Sequence, residues 1–523
     1  MKNTRFLLFS LALFSSLLLL AQDGTFDTSF GNDGVVRFNQ EGVSTRGTDL
    51  LILNNNAILL GVNSEIKING ATYNRGFYIY KILENGELDT SFGQEGYIYF
   101  ANNGNNSSYF HTFKLVNENK ILVKCSIEGS SKLIQIDTNG VFDSNFGNNG
   151  IQDIEGGLHI ELQSDGKIIV QSQFYDGYNN MYSFSRYTSN GLLDPSFGNN
   201  GTSIHDVTDF RFDICDAIAI QADNKIVAVG KSYNNGDDFR ASISRFNENG
   251  FIDTSFGDSG TVVTSFETNS AYGEFNEVKL FNNKIIAAGN MHYSGGTGGF
   301  GGTKPAIIKF NSNGSKDLTF GTNGNVVFET MYNANDRLNT MEIQSNGKII
   351  FGGGASYPYP IQKTEFYIVK LHSDGTMDSS FGENGVFLTD FGNSESDSNY
   401  VTDLGFHRSD GILAFGSISF AEGFRSAIVC RLANEFLGSN NIEAQNTLHI
   451  YPNPTSSNVI IKSKQPIINM EIYNVAGQLM RVFNYSDKPL EVDLNIGFLQ
   501  NGLYTLLMLT ENGTIAIKKI IKK

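Results

Sequence analysis

The sequence predicts an all-β chain, and three observations carry that prediction. A box of the form Asp-x-x-Phe-Gly-x-x-Gly recurs seven times at intervals of 51 to 64 residues. Ahead of every box after the first stand two alternating apolar runs joined by a tight polar turn such as Asn-Gly or Asp-Gly, the chemistry of β-hairpins. A period of this length with variable insertions marks an array of repeated supersecondary units rather than one continuous core.

Taken in order, the chain opens with Lys2 and Arg5 ahead of an apolar run from Phe6 to Leu20, then Ala21. A basic start, a short apolar stretch and a small residue read as a signal peptide over residues 1–21. That run is too short for a membrane span and no later window supplies one, so the mature chain is expected to be secreted. Cys125, Cys215 and Cys430 are odd in number and scattered, without disulfide or zinc spacing, and are expected to be buried. With 54 Asp and Glu against 38 Lys and Arg, the net charge of -16 argues against nucleic acid as a partner, because phosphate binding needs a cationic footprint.

The boxes begin at Gly24 (GTFDTSFGNDG), Gly86, Gly140, Gly191, Gly250, Gly314 and Gly375. Hairpins such as ELQSDGKIIVQS from Glu161 and EIQSNGKIIFGG from Glu342 precede them; a third strand (ASISRF from Ala241) follows each hairpin and a fourth (GTVVT from Gly260) follows the box. Four strands per repeat make a propeller blade. At the N-terminus stand a box and fourth strand alone, Gly24 to Phe38, whereas the seventh hairpin and its third strand, SAIVCRL from Ser426, run on with no box. The two fragments add up to one blade. The predicted fold is therefore a seven-bladed β-propeller over residues 22–436 closed by N-terminal strand exchange, which leaves no open sheet edge; a parallel β-helix or open array is the alternative.

The paired hairpin and box signatures resemble the delta-60 repeat, a β-propeller repeat of secreted bacterial proteins, over residues 24 to 436. Asn145, Leu318 and Thr319 depart from the box pattern, and Ile412 replaces the hairpin Lys in the last repeat. That resemblance implies a fold and no activity.

After a polar linker, residues 437–447, period-two patterning resumes and predicts a small Ig-like β-sandwich over 448–523. Tyr451-Pro452-Asn453-Pro454, Ile472-Tyr473-Asn474, Gly502-Leu503-Tyr504 and the terminal lysines resemble the type A sorting domain of the type IX secretion system of Bacteroidetes. The resemblance implies export by that machinery through residues 448–523. Eight Lys and Arg against five Asp and Glu make this segment basic on an otherwise acidic chain. An accessory sandwich that binds glycan or a partner is the alternative.

The box aspartates Asp27, Asp89, Asp143, Asp194, Asp253, Asp317 and Asp378 recur once per repeat. A catalytic group is needed once and a turn cap in every blade, so they are expected to accept backbone N–H bonds, with the box Phe as a plug between blades. Segments at Asp137 and Asn247 match the front of a calcium loop without its closing Glu, which favours turns over a metal site. GGTGGFGG at Gly295 precedes a strand and reads as a loop. No nucleophile motif occurs and the seven His are dispersed. No catalytic, cofactor or metal residues are assigned.

The long insertions fall between second and third strands, on one face of the predicted ring. They carry Tyr73, Tyr175, Tyr178, Tyr233, Tyr293, Tyr357, Tyr359 and Phe420, read as an aromatic binding rim or as strand-end rings packed on their neighbours. The expected function is a non-catalytic, monomeric binding module at the cell surface or beyond, taking an extracellular protein or glycan without cofactor. The alternative is a propeller hydrolase or lyase acting on a polysaccharide or other polymer.

Overall fold

The computed structural model describes residues 23–523 apart from 40–41, 69–70, 102–106, 209–211, 234–238, 267–271, 295–299, 330–334, 358–360, 362, 393, 395, 408–410, 422, 434–447, 475–478, 486 and 511–514. The expected signal peptide and linker lie outside the described residues. Among the described residues there is no helix, and the strands from Val35 to Leu432 pair in seven antiparallel sets of four.

Sheet 1 shows the plan: Val43–Ile52, Ile58–Ile68, Ala71–Ile82 and Tyr97–Phe100 pair in chain order. The first strands of sheets 2 to 7 are Tyr109–Asn117, His159–Leu162, Phe212–Ile220, Tyr272–Phe281, Arg337–Ile343 and Ser398–Phe406, and first strands of neighbouring sheets lie against one another. Second and third strands are covered on both faces by adjacent sheets, which is why they read as continuous apolar runs; Ile412–Ser419 and Arg425–Leu432 are buried along nearly their whole length. Sheet 7 takes its fourth strand from the other end of the chain: Val35–Phe38 pairs with Arg425–Leu432, Val35 opposite Cys430 and Phe38 opposite Ala427.

Seven apolar clusters fill the gaps between consecutive sheets. Phe77, Phe92 and Phe110 join sheets 1 and 2, while Phe30, Leu60, Phe415 and Val429 join sheet 7 to sheet 1. All seven box phenylalanines are buried in these gaps, each at most 1% exposed. Cys125, Cys215 and Cys430 are free and buried.

The box itself is a latch between sheets. In every copy the Asp Oδ1 accepts the backbone N–H two residues on, at 3.0 to 3.3 Å. Its Oδ2 meets a cation at 2.5 to 2.9 Å: Lys81, Lys120, Arg186, Arg245, Lys284, Lys348 or Arg431. Arg186, Arg245 and Arg431 also stack over the box rings Phe197, Phe256 and Phe30 at 4.7 to 4.9 Å. The Gly after each box Phe donates its N–H to the carbonyl of a turn in the next sheet, from Gly31 to Asn85 at 2.7 Å through to Gly382 to Asp23 at 2.9 Å. The glycine after that turn residue is required by close approach: φ is +77° at Gly24, and a Cβ there would lie 2.5 Å from the Gly382 nitrogen.

The C-terminal segment forms two sheets around one core. Leu448–Tyr451, Asn458–Ser463 and Glu491–Asn495 make the first; Leu479–Asn484, Ile467–Asn474, Gly502–Thr510 and Ile515–Lys522 make the second, in that spatial order. Ile461, Met470, Leu494 and Leu506 meet between them.

Burial pushes the Asp253 and Asp378 carboxyls up, but the hydroxyl, amide and cation around each outweigh it and hold them at about 2. Folded values below the unfolded ones confer stability above about pH 4 that is lost as pH falls toward 2. The latch makes a graded prediction for chemical denaturation at pH 7. Asp194→Ala strands Arg186, whose side chain is 4% exposed, and should cost about 3 kcal/mol. Asp143→Ala frees Lys120, 44% exposed, and should cost about 1 kcal/mol or less. Equal losses would show that the cations contribute nothing beyond the turn.

Candidate functional site

Six of the seven first strands carry a β-bulge, whose extra residue is Thr48, His111, Asp216, Asn276, Asn339 or Thr402. A bulge re-aims a side chain out of the regular pleat. Four of these residues, Thr48, Asn276, Asn339 and Thr402, line a cavity of about 750 Å³ where the first strands begin. Arg46, Arg337 and Tyr400, each two positions before its bulge residue, complete the wall with Asn335. Ser356, at the end of a second strand, and Thr364, at the start of a third, place the cavity on the face that carries the second-to-third loops. Among the described residues no Asp or Glu lines it.

Further along the same strands the ionisable groups are committed to one another across neighbouring sheets. Lys114 meets Glu161 at 2.6 Å and Lys279 meets Glu342 at 2.5 Å. Asp49 accepts the Phe113 N–H at 2.7 Å and the Thr112 hydroxyl at 2.6 Å, and Asp403 accepts the Leu50 N–H at 2.8 Å. Burial, reinforced by the neighbouring Asp49 carboxylate, pushes Asp403 well above the usual carboxylate range. Burial likewise lifts Glu277 to about 7 although Lys279 Nζ stands 4.0 Å away. Burial lowers His111 and His159 to about 4, so both are neutral at pH 7.

Six of the eight rim residues have described side chains. Tyr175 and Tyr178, 58% and 60% exposed, both belong to sheet 3. Tyr233 stacks on Phe212 with ring centres 4.9 Å apart, Lys304 sits over Tyr293, and Tyr357 donates to Glu365 at 3.0 Å beneath Lys363. Phe420 packs against the core between sheets 6 and 7. The Tyr73 side chain, Tyr359 and residues 295–299 of the glycine run lie outside the described residues. The two calcium-like turns use their first oxygen on backbone: Asp137 accepts the Asn139 and Val141 N–H groups, and Asn247 those of Asn249 and Phe251. Among the described residues no group of three or more His, Cys, Asp or Glu is placed to hold a metal ion.

Sequence reading missed the bulge residues, the two cavity arginines and the latch cations. The latch cations had a signal, because each repeat has Lys or Arg in its hairpin turn, near the end of its third strand, or both. Arg46 and Arg337 had none, since their register position is Tyr109, Ile214, Glu274 or Tyr400 in other copies.

With this geometry in place, comparison with known proteins is informative at two points. A secretion system C-terminal sorting domain matches residues 449–523, and a β-propeller domain of unknown function, DUF5122, matches 163–197, 221–256, 282–320 and 344–381. The chain is a β-propeller repeat protein with a sorting tail. That tail marks it for export to the cell surface or the extracellular space. No curated protein matches the chain. Solved structures like it include the extracellular domain of a one component system from B. thetaiotaomicron, at 10% identity and TM-score 0.41 over 96% of this chain. This chain covers 59% of that one. Drosophila Plexin A in complex with Semaphorin 1b matches at 9% and 0.38, covering 79% of this chain and 88% of the other. The polysaccharide lyase PL25 ulvan lyase matches at 10% and 0.39, covering 79% and 95%. At these levels the likenesses say nothing about activity. Among the described residues no helix is long and apolar enough to cross a membrane.

The channel groups make a prediction with a definite sign. A folded value for Glu277 above the unfolded one means its burial costs nothing at low pH and destabilises as pH rises from about 4.5 to beyond 7. Glu277→Gln should therefore melt above wild type at pH 8, with the gap closing toward pH 5. An equal gap at both pH values would place the Glu277 carboxyl at an ordinary value.

Proposed function

We propose that the chain is an exported binding module: a seven-bladed β-propeller, residues 22–436, behind a signal peptide and ahead of a removable sorting sandwich, 448–523, handled by the type IX machinery. Recognition is assigned to the face of the second-to-third loops and to no catalytic centre. The observation that carries this reading is a division of labour on the first strands. The charged groups deeper in the ring hold neighbouring sheets together, whereas the cavity at the mouth is walled by polar side chains turned out by bulges. A pre-formed concave site with a few convergent polar groups is the ordinary form of a ligand site. Tyr175 and Tyr178 extend the same face and supply contact area for a larger partner.

The second reading, a hydrolase or lyase of extracellular polymer, draws on one observation. The neighbouring Asp49 and Asp403 carboxyls, with Asp403 raised, have the form of an acid and base pair. Their bonds to Leu50 N–H, Phe113 N–H and Thr112 favour a structural role.

Residues 22–523 applied to glycan and protein arrays should retain a ligand without turnover, and Asp403→Asn should retain it equally. Cleaved product that disappears in Asp403→Asn would decide for the enzyme.

A further inference from the structure

We infer that the cavity at the channel mouth takes an acidic glycan, with Arg46 and Arg337 as the anion-binding groups and Tyr400 as the platform between them. This deepens the binding reading above and rests on it. The three residues occupy the same register position in sheets 1, 6 and 7, which the closed ring makes consecutive, so Tyr400 stands between the two arginines.

These two arginines differ from those of the latches. Arg186, Arg245 and Arg431 each meet a box carboxylate at 2.8 Å, and Arg75 pairs with Glu65. Arg46 and Arg337 are exposed and their guanidinium groups have no partner among the described residues. In a protein of net charge -16, these two guanidinium groups share a cavity whose wall, among the described residues, holds no carboxylate. A guanidinium presents a planar fork of donors that matches a carboxylate or a sulfate.

The rest of the wall selects a sugar over an acidic peptide. Asn339 donates its amide N–H to the Val401 carbonyl at 2.8 Å, which leaves its side-chain oxygen to accept from ring hydroxyls. Thr402 donates to the Phe415 carbonyl at 3.1 Å and keeps lone pairs toward the cavity. Among the described residues of the wall Tyr400 is the one ring available for stacking, and no aliphatic side chain offers a subsite for a peptide's apolar residues. A volume of about 750 Å³ suits a short oligosaccharide.

Calorimetric titration of residues 22–523 with tetragalacturonate, a sulfated galactan tetrasaccharide and fully methyl-esterified tetragalacturonate tests this. At least one anionic probe should bind and the ester should not, with affinity falling as salt rises. Arg46→Ala and Arg337→Ala should each weaken binding tenfold or more at unchanged melting temperature, while Lys462→Ala, which removes an exposed cation of the C-terminal segment, leaves it within twofold. Preference between the two anionic probes assigns the carboxylate or the sulfate. Equal binding of the ester, or binding indifferent to both arginine variants, overturns the glycan assignment while leaving a binding module. Retention of an acidic peptide on the arrays with loss in the arginine variants transfers the site to a protein partner. No binding by any probe or array feature overturns both readings.

Discussion

The contact on which the rest depends is the latch between one sheet and the next. A propeller ring has no continuous core; each sheet touches only its two neighbours, so the joints must be both apolar and directional. The apolar part is the buried box Phe. Direction comes from the box Asp, which caps its own turn with one oxygen and binds a cation with the other, and from the Gly amide that reaches the next turn. In the two inner copies that use an arginine it stands eight residues before the Asp, as with Arg186 and Asp194; at the seam Asp27 and Arg431 are separated by 404 and make the same bond at 2.8 Å. A local motif thus becomes the closure of the ring without any new chemistry.

Closure also explains why a site appears where it does. First strands held edge to edge around an axis cannot shift independently, so the bulges that interrupt them project side chains from a rigid frame. The belt of ion pairs below the mouth serves the same frame, tying sheets 2 to 3 and 5 to 6 through Lys114–Glu161 and Lys279–Glu342. Each pair keeps a quarter to a third of its side-chain surface open to water, which moderates the cost of holding charge there. Tyr78, Tyr80, Tyr97 and Tyr99 stack on the outer part of sheet 1, beside Phe38 of the exchanged strand, and pad the seam.

Much of this was legible in the sequence because it repeats. Asp, Phe and Gly of the box appear seven times, and a residue needed seven times is a residue of the frame; the missing box after Ser426 pointed to the strand at the other end. The cations were harder to see because two positions share the task. Gln135 is neutral where Lys120 serves Asp143, and Ile412 is apolar where Arg431 serves Asp27. The cavity was not legible at all. Cavity-lining groups break the repeat, and a lone Arg46 or Arg337 in a strand looks like any exposed cation until the ring brings the two together. Within the expected aromatic rim, Tyr233, Tyr293 and Tyr357 contact Phe212, Lys304 and Glu365, partners that the repeat pattern does not reveal.

The central claim is that one chain closes its own ring through Val35–Phe38. Val35 faces Cys430 in that pairing, at the separation of directly opposed antiparallel residues, which a disulfide can span. Mild oxidation of Val35→Cys followed by peptide mapping should give an intrachain link between positions 35 and 430, with Cys125 and Cys215 still reduced. A link found only between chains, or none while the protein stays folded, would contradict the account.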